Sequence, residues 1–390
     1  MAYKLTDAEF DKSRAEKQFQ DWDSRALPEK FLERFLSKKD GSSAEIGLQA
    51  FLDLVKSHPN LSFCLRGNDY GNQNPLSGGK VCIYENNHAM FVLMPKSLQI
   101  NPNYLRYCDD WQDKLNALIR DYDFNTGKEI VPVVSKTKKK DGTFNYSCSF
   151  SSKISTAYSK ELLEDIENLY ALMQEIFEKF FDDQCDQDQF LQWAKGTGDI
   201  PPSYEGKEKT KFLEKIRQQQ LYTTLRAQEN GYYFYDMEFQ QKHQSMDDQR
   251  ADKANGLSNK PDMQALRFQN NKPVAWVFVE VKCTKEAYVG GSGLGKHISS
   301  MQKYIAEDNR ECLERRRREA FLLLHQYNKL GLCNLDLGWD AFKSLKTEIL
   351  IVFTDDAIDC WRNDKKKPKK TTELTADALP GGLKPIFVQL

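Results

Sequence analysis

A short apolar segment of the sequence ends in two charged residues, Glu280 and Lys282. Side chains alternate between the two faces of a strand, so these residues would share one face, roughly 7 Å apart. Asp262 lies eighteen positions before Glu280, at the start of another short apolar segment. Buried charges are costly unless they are paired or bind a metal. Two close carboxylates beside a lysine therefore predict a site for one or two Mg²⁺ ions, since hard cations prefer oxygen ligands.

The chemistry expected of such a site is hydrolysis of a phosphodiester. The metal would polarise the phosphate and lower the pKa of a bound water, while Lys282 would orient that water or offset developing charge. Asp262 comes close to Glu280 if their two strands pair through the turn at 270–273. The prediction therefore depends on the elements that carry these residues.

The elements predicted around the site follow the order helix, three strands, helix, strand. They are a helix over 211–229, strands over 232–239, 263–268 and 274–282, a helical region over 297–329 with a break near 307–310, and an apolar strand over 348–354.

Asp262 preceded by proline, followed by Glu280-x-Lys282, resembles the motif of the PD-(D/E)xK nuclease superfamily. The resemblance covers roughly residues 207–357. It implies a restriction-endonuclease-like core, with Asp262 and Glu280 binding Mg²⁺ or Mn²⁺ and Lys282 assisting the hydrolytic water. The backbone carbonyl of Val281 is included among the expected metal ligands.

The same resemblance implies two further catalytic residues. Many members carry a glutamate in the first helix, and Glu214 is the residue chosen here, with Glu229 as the alternative. Some members carry a glutamine and a tyrosine in the helix after the third strand. Gln302, close to Tyr304, is the corresponding candidate.

A rival motif lies between the charged strand and the next helix. The segment from Gly290 to Lys296 fits G-x-x-x-x-G-K, follows a strand and opens a helix, as in nucleotide hydrolases. The next residue is His297, not the serine or threonine that would bind Mg²⁺, so His297 is interpreted as an ordinary polar residue. We expect this loop to lie beside the active site, where Lys296 contacts a phosphate. A simple connector and a nucleotide hydrolase remain the alternatives.

Basic clusters supply the other predicted contacts with DNA. A chain-wide basic coat is excluded, because 56 basic and 57 acidic residues give a net charge of −1. Local clusters occur at 315–318 and 365–370, and the predicted DNA-binding residues are Arg315, Arg318, Lys366 and Lys367. Each cluster is equally well explained as a solvated surface.

Several classes of protein are excluded by composition. The sequence contains no run of eighteen apolar residues, so no membrane span is predicted. Its first residues lack the apolar core that is typical of a signal peptide. The nine cysteines are scattered and the five histidines form no H-E-x-x-H pair, which argues against zinc. A cytoplasmic protein with reduced thiols is expected.

The overall prediction is a two-domain α/β protein. Residues 1–195 would form an α+β domain in which Ser42 and Glu45 cap the start of a helix, 196–206 a linker rich in glycine and proline, and 207–390 the nuclease domain. We expect a metal-dependent DNA endonuclease, of restriction or anti-phage type. The alternative is a non-catalytic module that binds nucleic acid or protein. The sequence leaves open RNA as the substrate, a homodimer, and a regulatory ligand, a recognition role or an oligomerisation role for the first domain.

Overall fold

In the part of the chain that the structure describes, the strands form two five-stranded sheets and a two-stranded ribbon. The computed structural model describes residues 25–67, 79–85, 88–100, 110–126, 132–138, 142, 144–150, 154–181, 214, 216–222, 231–237, 261–284, 294–306, 310–335, 337–355, 357–359, 383 and 385–388. The described residues give a mixed α/β protein, as predicted.

The first sheet is entirely antiparallel, in the order β1-β2-β3-β4-β7. Its strands are β1 (Leu61–Leu65), β2 (Val81–Glu85), β3 (His88–Leu93), β4 (Ser97–Ile100) and β7 (Ile154–Ala157). The ribbon consists of β5 (Pro132–Lys138) and β6 (Phe144–Phe150). The helices of this half are α1 (Glu29–Arg34), α2 (Gln49–Ser57), α3 (Trp111–Tyr122), α4 (Lys160–Glu164) and α5 (Ile166–Phe181).

The predicted helix start at Ser42 is wrong. Residues around Ser42 form a turn, in which the Glu45 amide donates to the Ser42 carbonyl, and α2 begins only at Gln49. Gly47 lies just before this helix, where a Cβ would lie 2.0 Å from the carbonyl oxygen of Ser37. The chain therefore packs backbone against backbone here before it enters the helix.

The second sheet is mixed, in the order β12-β11-β10-β9-β8. Its strands are β8 (Tyr232–Met237), β9 (Met263–Gln269), β10 (Lys272–Lys282), β11 (Lys346–Phe353) and β12 (Ile386–Phe387). β8, β9 and β10 form an antiparallel meander, whereas β11 is parallel to β10. The parallel pairing requires a crossover connection, which the chain between them supplies as helices.

The helices of the second half lie where the sequence predicts them. Residues 214 and 216–222 are helical before β8, and we call the latter stretch helix 216–222. Between β10 and β11 lie α6 (Leu294–Ile305), α7 (Arg310–Lys329) and the short α8 (Trp339–Lys343). The predicted order of helix, three strands, helix, strand is therefore present, with the helical region divided at the expected place.

β10 is the central strand of this sheet and is buried on both faces. Val277, Val279 and Val281 face a hydrophobic cluster that includes Leu221 of helix 216–222. On the other face of the strand, Trp276 and Phe278 belong to the larger hydrophobic core, which also contains residues of α6 and α7. A strand covered on both faces accounts for the nearly continuous apolar run in its sequence.

α7 connects the second sheet with the first half of the chain. Gln326 exchanges two hydrogen bonds with the backbone of Leu27, at 2.7 and 2.8 Å. The amide of Leu65 in β1 donates to the hydroxyl of Tyr327 at 3.1 Å. The two halves thus share buried polar contacts. The predicted linker at 196–206 lies outside the described residues, so the domain boundary stays a prediction.

No helix among the described residues is long and apolar enough to cross a membrane.

Candidate active site

The charged end of β10 is buried as deeply as the apolar part of the strand. The side chains of Glu280 and Lys282 are only 2% and 4% exposed, and that of Asp262 is 16% exposed. Charged side chains are rarely buried to this extent unless they are paired. Asp262, Glu280 and Lys282 are the three residues that the sequence singles out. They therefore all lie in the protein interior, where the start of β9 meets the end of β10.

The structure brings these three residues together around the lysine ammonium. Lys282 Nζ lies 2.5 Å from Glu280 Oε1 and 4.0 Å from Asp262 Oδ2. The amide of Val281 donates a hydrogen bond of 2.8 Å to Asp262 Oδ2, which fixes the aspartate against the strand. The contact seen for Val281 is made by its amide; the role of its carbonyl as a metal ligand stays a prediction.

The register of the β9–β10 hairpin decides whether Asp262 can reach Glu280. Asn270 and Asn271 form the turn with φ of 51° and 60°, the left-handed conformation that two-residue hairpin turns require. The register then shifts between Pro273 and Ala275, so one extra residue is inserted into β10.

This β-bulge places the two carboxylates on one side of the sheet. Beyond it Val279 pairs with Met263, so the next pair outward brings Glu280 opposite Asp262. Without the extra residue Asp262 would face Val279, and its side chain would point to the other face. The bulge is therefore part of what builds the site.

The electrostatics of the cluster are those of one cation shared by two carboxylates. Burial, and then the charge of Glu280, raise the pKa of Asp262 well above its usual range. Burial also acts to raise the pKa of Glu280, but hydrogen bonds from His297 and Lys282 outweigh it and lower that pKa. Burial acts to lower the pKa of Lys282, but attraction to the two carboxylates raises it above its ordinary value. One ammonium therefore faces two carboxyl groups, and Asp262 is the one whose ionised form is disfavoured.

Glu214 contributes to the same electrostatic environment. Its charge raises the pKa of both Asp262 and Lys282, so the glutamate predicted in the first helix lies near the cluster. Gln302, the other predicted helix residue, is half-buried in α6. The contact that α6 makes with the cluster comes instead from His297, one and a half turns earlier.

His297 is the residue of the site that sequence reasoning missed. Its Nδ1 forms a hydrogen bond with Glu280 Oε1, and its side chain is 35% exposed. The sequence held one relevant signal, because His297 opens the helix that follows the charged strand. The contact between His297 and Glu280 depends on the angle at which α6 crosses the second sheet. That angle cannot be predicted from a single sequence.

The predicted DNA-binding residues have different surroundings. Lys296 is exposed in the first turn of α6, beside His297. Arg318 is engaged within the fold, with Nη2 donating to Glu314 Oε1 at 2.9 Å and its guanidinium over the ring of Trp339. The glycines at 290–293, the side chain of Arg315, and Lys366 and Lys367 lie outside the described residues.

A cavity of about 280 Å³ lies in the first half of the chain, between α2 and α4. Its charged lining is balanced between three lysines and three acidic residues, namely Lys38, Lys39, Lys160, Asp40, Asp53 and Glu164. This lining does not select a ligand of one charge. The predicted regulatory ligand of this half stays a prediction.

The donor set at the cluster fits a hard divalent cation in part. Asp262 and Glu280 offer carboxylate oxygens, the ligands that Mg²⁺ and Mn²⁺ prefer, and when both are ionised their charge exceeds that of Lys282. Among the described residues no group of three or more histidine, cysteine, aspartate or glutamate side chains could hold a metal ion by itself. A complete coordination sphere would therefore need water, backbone oxygen or the substrate, as is usual for Mg²⁺.

Comparison with protein-family models finds no family that matches the chain, and comparisons with curated proteins and with solved structures find no match either.

Proposed function

We propose that the protein is a metal-dependent endonuclease that hydrolyses phosphodiester bonds in DNA. The observation that carries the proposal is the buried cluster of Asp262, Glu280 and Lys282 at the paired ends of β9 and β10. Burial of charges in this manner opposes folding, so a function is the simplest reason to keep them. The mixed sheet and the element order are those expected of a restriction-endonuclease-like core.

The roles of the residues follow from their chemistry. Asp262 and Glu280 would hold Mg²⁺ or Mn²⁺ through carboxylate oxygens, with Glu214 adding negative charge nearby. The bound ion supplies charge stabilisation to the phosphate and makes a water molecule more acidic. Lys282, kept protonated by its neighbours, would orient the attacking water or stabilise the charge that develops on the phosphate.

The surface around the cluster supports a substrate that carries phosphates. Lys296 is exposed on the turn of α6 that also presents His297 to Glu280. A lysine at this place would bind a phosphate next to the scissile one by simple electrostatics. A stand-alone enzyme of this kind would suit restriction or anti-phage defence.

The test is cleavage of supercoiled plasmid and linear duplex DNA in Mg²⁺, in Mn²⁺ and in EDTA. We expect metal-dependent nicking or linearisation by the wild type. Asp262→Asn and Glu280→Gln should each lower the rate by about 10²-fold or more, since either change removes charge from the predicted metal site. The matched control is Glu348→Gln, which removes a carboxylate from the same sheet at 33% exposure.

Cleavage that survives both substitutions, or that proceeds in EDTA, would refute the proposal. DNA binding without cleavage, unaffected by divalent ions, would refute it in favour of a non-catalytic binding module. Cleavage of RNA alone would keep the chemistry and change the substrate.

A further inference from the structure

An arginine–aspartate pair joins helix 216–222 to the sheet next to the proposed active site. Arg217 Nε lies 2.7 Å from Asp355 Oδ2, and Nη2 lies 2.5 Å from Oδ1. The pair is bidentate, and its side chains are only 17% and 23% exposed. Such pairs are stronger and more directional than single contacts between charges.

Asp355 is fixed in space by the same strand that carries the lysine of the cluster. It follows Thr354, whose amide donates to the carbonyl of Lys282 at 3.0 Å. Asp355 has a φ of 49°, a left-handed conformation that aspartate tolerates at a turn. Its carboxylate is therefore presented just beyond the end of β10, and both of its oxygens are engaged by Arg217.

Glu214 is helical and lies three positions before Arg217 of helix 216–222. Residues three apart in a helix are neighbours, so the anchoring of Arg217 also limits where Glu214 can go. Leu221, one turn further, is fully buried and packs in the cluster that contains Val281 and Cys283. Arg217 and Leu221 thus hold this side of the helix against the end of β10.

The charge of Glu214 reaches the cluster because of this placement. Its effect is felt at Asp262, Lys282 and Cys283. Arg217 itself is occupied by Asp355 and by Gln220, to which Nη1 donates at 2.5 Å. The arginine therefore acts on the cluster through the position of Glu214.

We propose that Arg217, paired with Asp355, is a positioning residue that holds Glu214 near the carboxylate of Asp262. This inference rests on the proposed function, because it concerns the metal affinity of that site. It gives helix 216–222 a role in the site that the sequence motif does not contain.

The experiment measures Mn²⁺ binding by calorimetry and cleavage kinetics for Arg217→Lys, Glu214→Gln and the double variant. We expect Arg217→Lys to weaken Mn²⁺ binding by about 10-fold, the effect typical of residues that orient metal ligands. It should lower kcat more than it changes KM. Glu214→Gln should cause a similar loss, and the double variant should lose little more than either, because both changes remove the same interaction.

The chain offers a matched control in Arg267→Lys. Arg267 forms a bidentate pair with Glu348 at 2.8 and 2.7 Å, between β9 and β11, with side chains 31% and 33% exposed. The Arg267→Lys substitution changes the same kind of ion pair in the same sheet. We expect this variant to bind Mn²⁺ with the affinity of the wild type. If Arg217→Lys does not fold, Asp355→Asn, which keeps the size of the aspartate, replaces it in the series.

The outcomes separate this inference from the proposed function. A wild type that binds and cuts, together with an Arg217→Lys variant that binds Mn²⁺ as tightly as Arg267→Lys does, would overturn the positioning role alone. Losses that add fully in the double variant would also overturn it. A wild type that neither binds Mn²⁺ nor cuts would refute the proposed function itself.

Discussion

Two parts of β10, which we call the aromatic end and the charged end of its buried stretch, use the same face of the strand in different ways. At the aromatic end, in the middle of the strand, Trp276 and Phe278 pack with ring centroids 4.8 Å apart, and the guanidinium of Arg316 lies 5.0 Å from the ring of Phe278. At the other end the same face carries Glu280 and Lys282. All four residues are nearly excluded from solvent.

The difference between the ends concerns what burial does to stability. Burying a large apolar side chain stabilises the fold by about 1.5–3 kcal/mol, so the aromatic end helps to hold the sheet together. Burying a charge costs several kcal/mol before its partners compensate, so the charged end at best breaks even. Buried charges that do not help folding are the reason for the proposal that this end of the strand has a function.

The largest expected effect on stability is at the aromatic end. Trp276 is fully buried, so Trp276→Ala should lower the free energy of unfolding by about 3–5 kcal/mol through lost burial and a cavity. Urea denaturation measures it. Phe387→Ala, at a position 37% exposed, is the control and should change stability by less than about 1 kcal/mol. Equal losses at the two positions would contradict the packing described.

At the charged end, Lys282→Met should lower stability by about 3 kcal/mol at pH 8 in the absence of metal, because it leaves two buried carboxylates without a cation. The pKa of each carboxyl should then rise, that of Asp262 further above its ordinary value and that of Glu280 from its lowered value. A raised carboxyl pKa gives stability that is present at low pH and lost as pH rises, so the loss should shrink at pH 5. Chemical denaturation at the two pH values tests this, and a loss that does not depend on pH would contradict it.

Asp262→Asn should have a smaller effect of the opposite sign. The pKa of Asp262 is raised by burial and by Glu280, so its ionised form is disfavoured in the folded protein. Asparagine can still accept the hydrogen bond from Val281, and we expect the variant to be about 1 kcal/mol more stable than the wild type at pH 8 without metal. The gain should shrink as pH falls and disappear only below about pH 3, because aspartate in the unfolded chain becomes protonated around its ordinary pKa of about 3.9. Thermal unfolding across this range gives the measurement, and a destabilised variant at pH 8 would count against the assigned pKa shift.

The smallest expected effect belongs to the ion pair between Arg267 and Glu348. It is partly exposed, so Glu348→Gln should change stability by less than about 1 kcal/mol, and added salt should reduce the difference. Denaturant titrations at low and high salt measure it. A loss as large as that of Lys282→Met would remove the distinction between the charged end and the rest of the sheet.

The sequence predicts strands β8 to β11 of the second sheet because their patterns are strong, whereas β12 (Ile386–Phe387) is not among the predicted elements. Composition and periodicity predict the apolar run of β10 and the turn at Asn270 and Asn271. They also predict the helical region and the strand that follow β10. The meeting of Asp262 with Glu280 follows from the predicted pairing only if the register is right. The bulge after Pro273 shifts that register by one residue. The hydrophobic pattern of the sequence does not reveal a shift of this size.

The remaining parts of the site depend on contacts between distant segments. His297 and Arg217 reach the end of β10 from two helices far apart in sequence. Their partners, Glu280 and Asp355, are ordinary acidic residues with no local signal for such a pairing. Likewise, Gly47 closely approaches Ser37 just before α2 begins, a contact that the capping motif at Ser42 does not reveal.

The most direct test of the central claim is the binding of Mn²⁺ to the wild type, measured by titration calorimetry beside Glu280→Gln and Glu348→Gln. The account predicts binding by the wild type and by Glu348→Gln, and an affinity at least about 10-fold weaker for Glu280→Gln. Heats that are the same for all three proteins would contradict the claim that the charged end of β10 is a metal site.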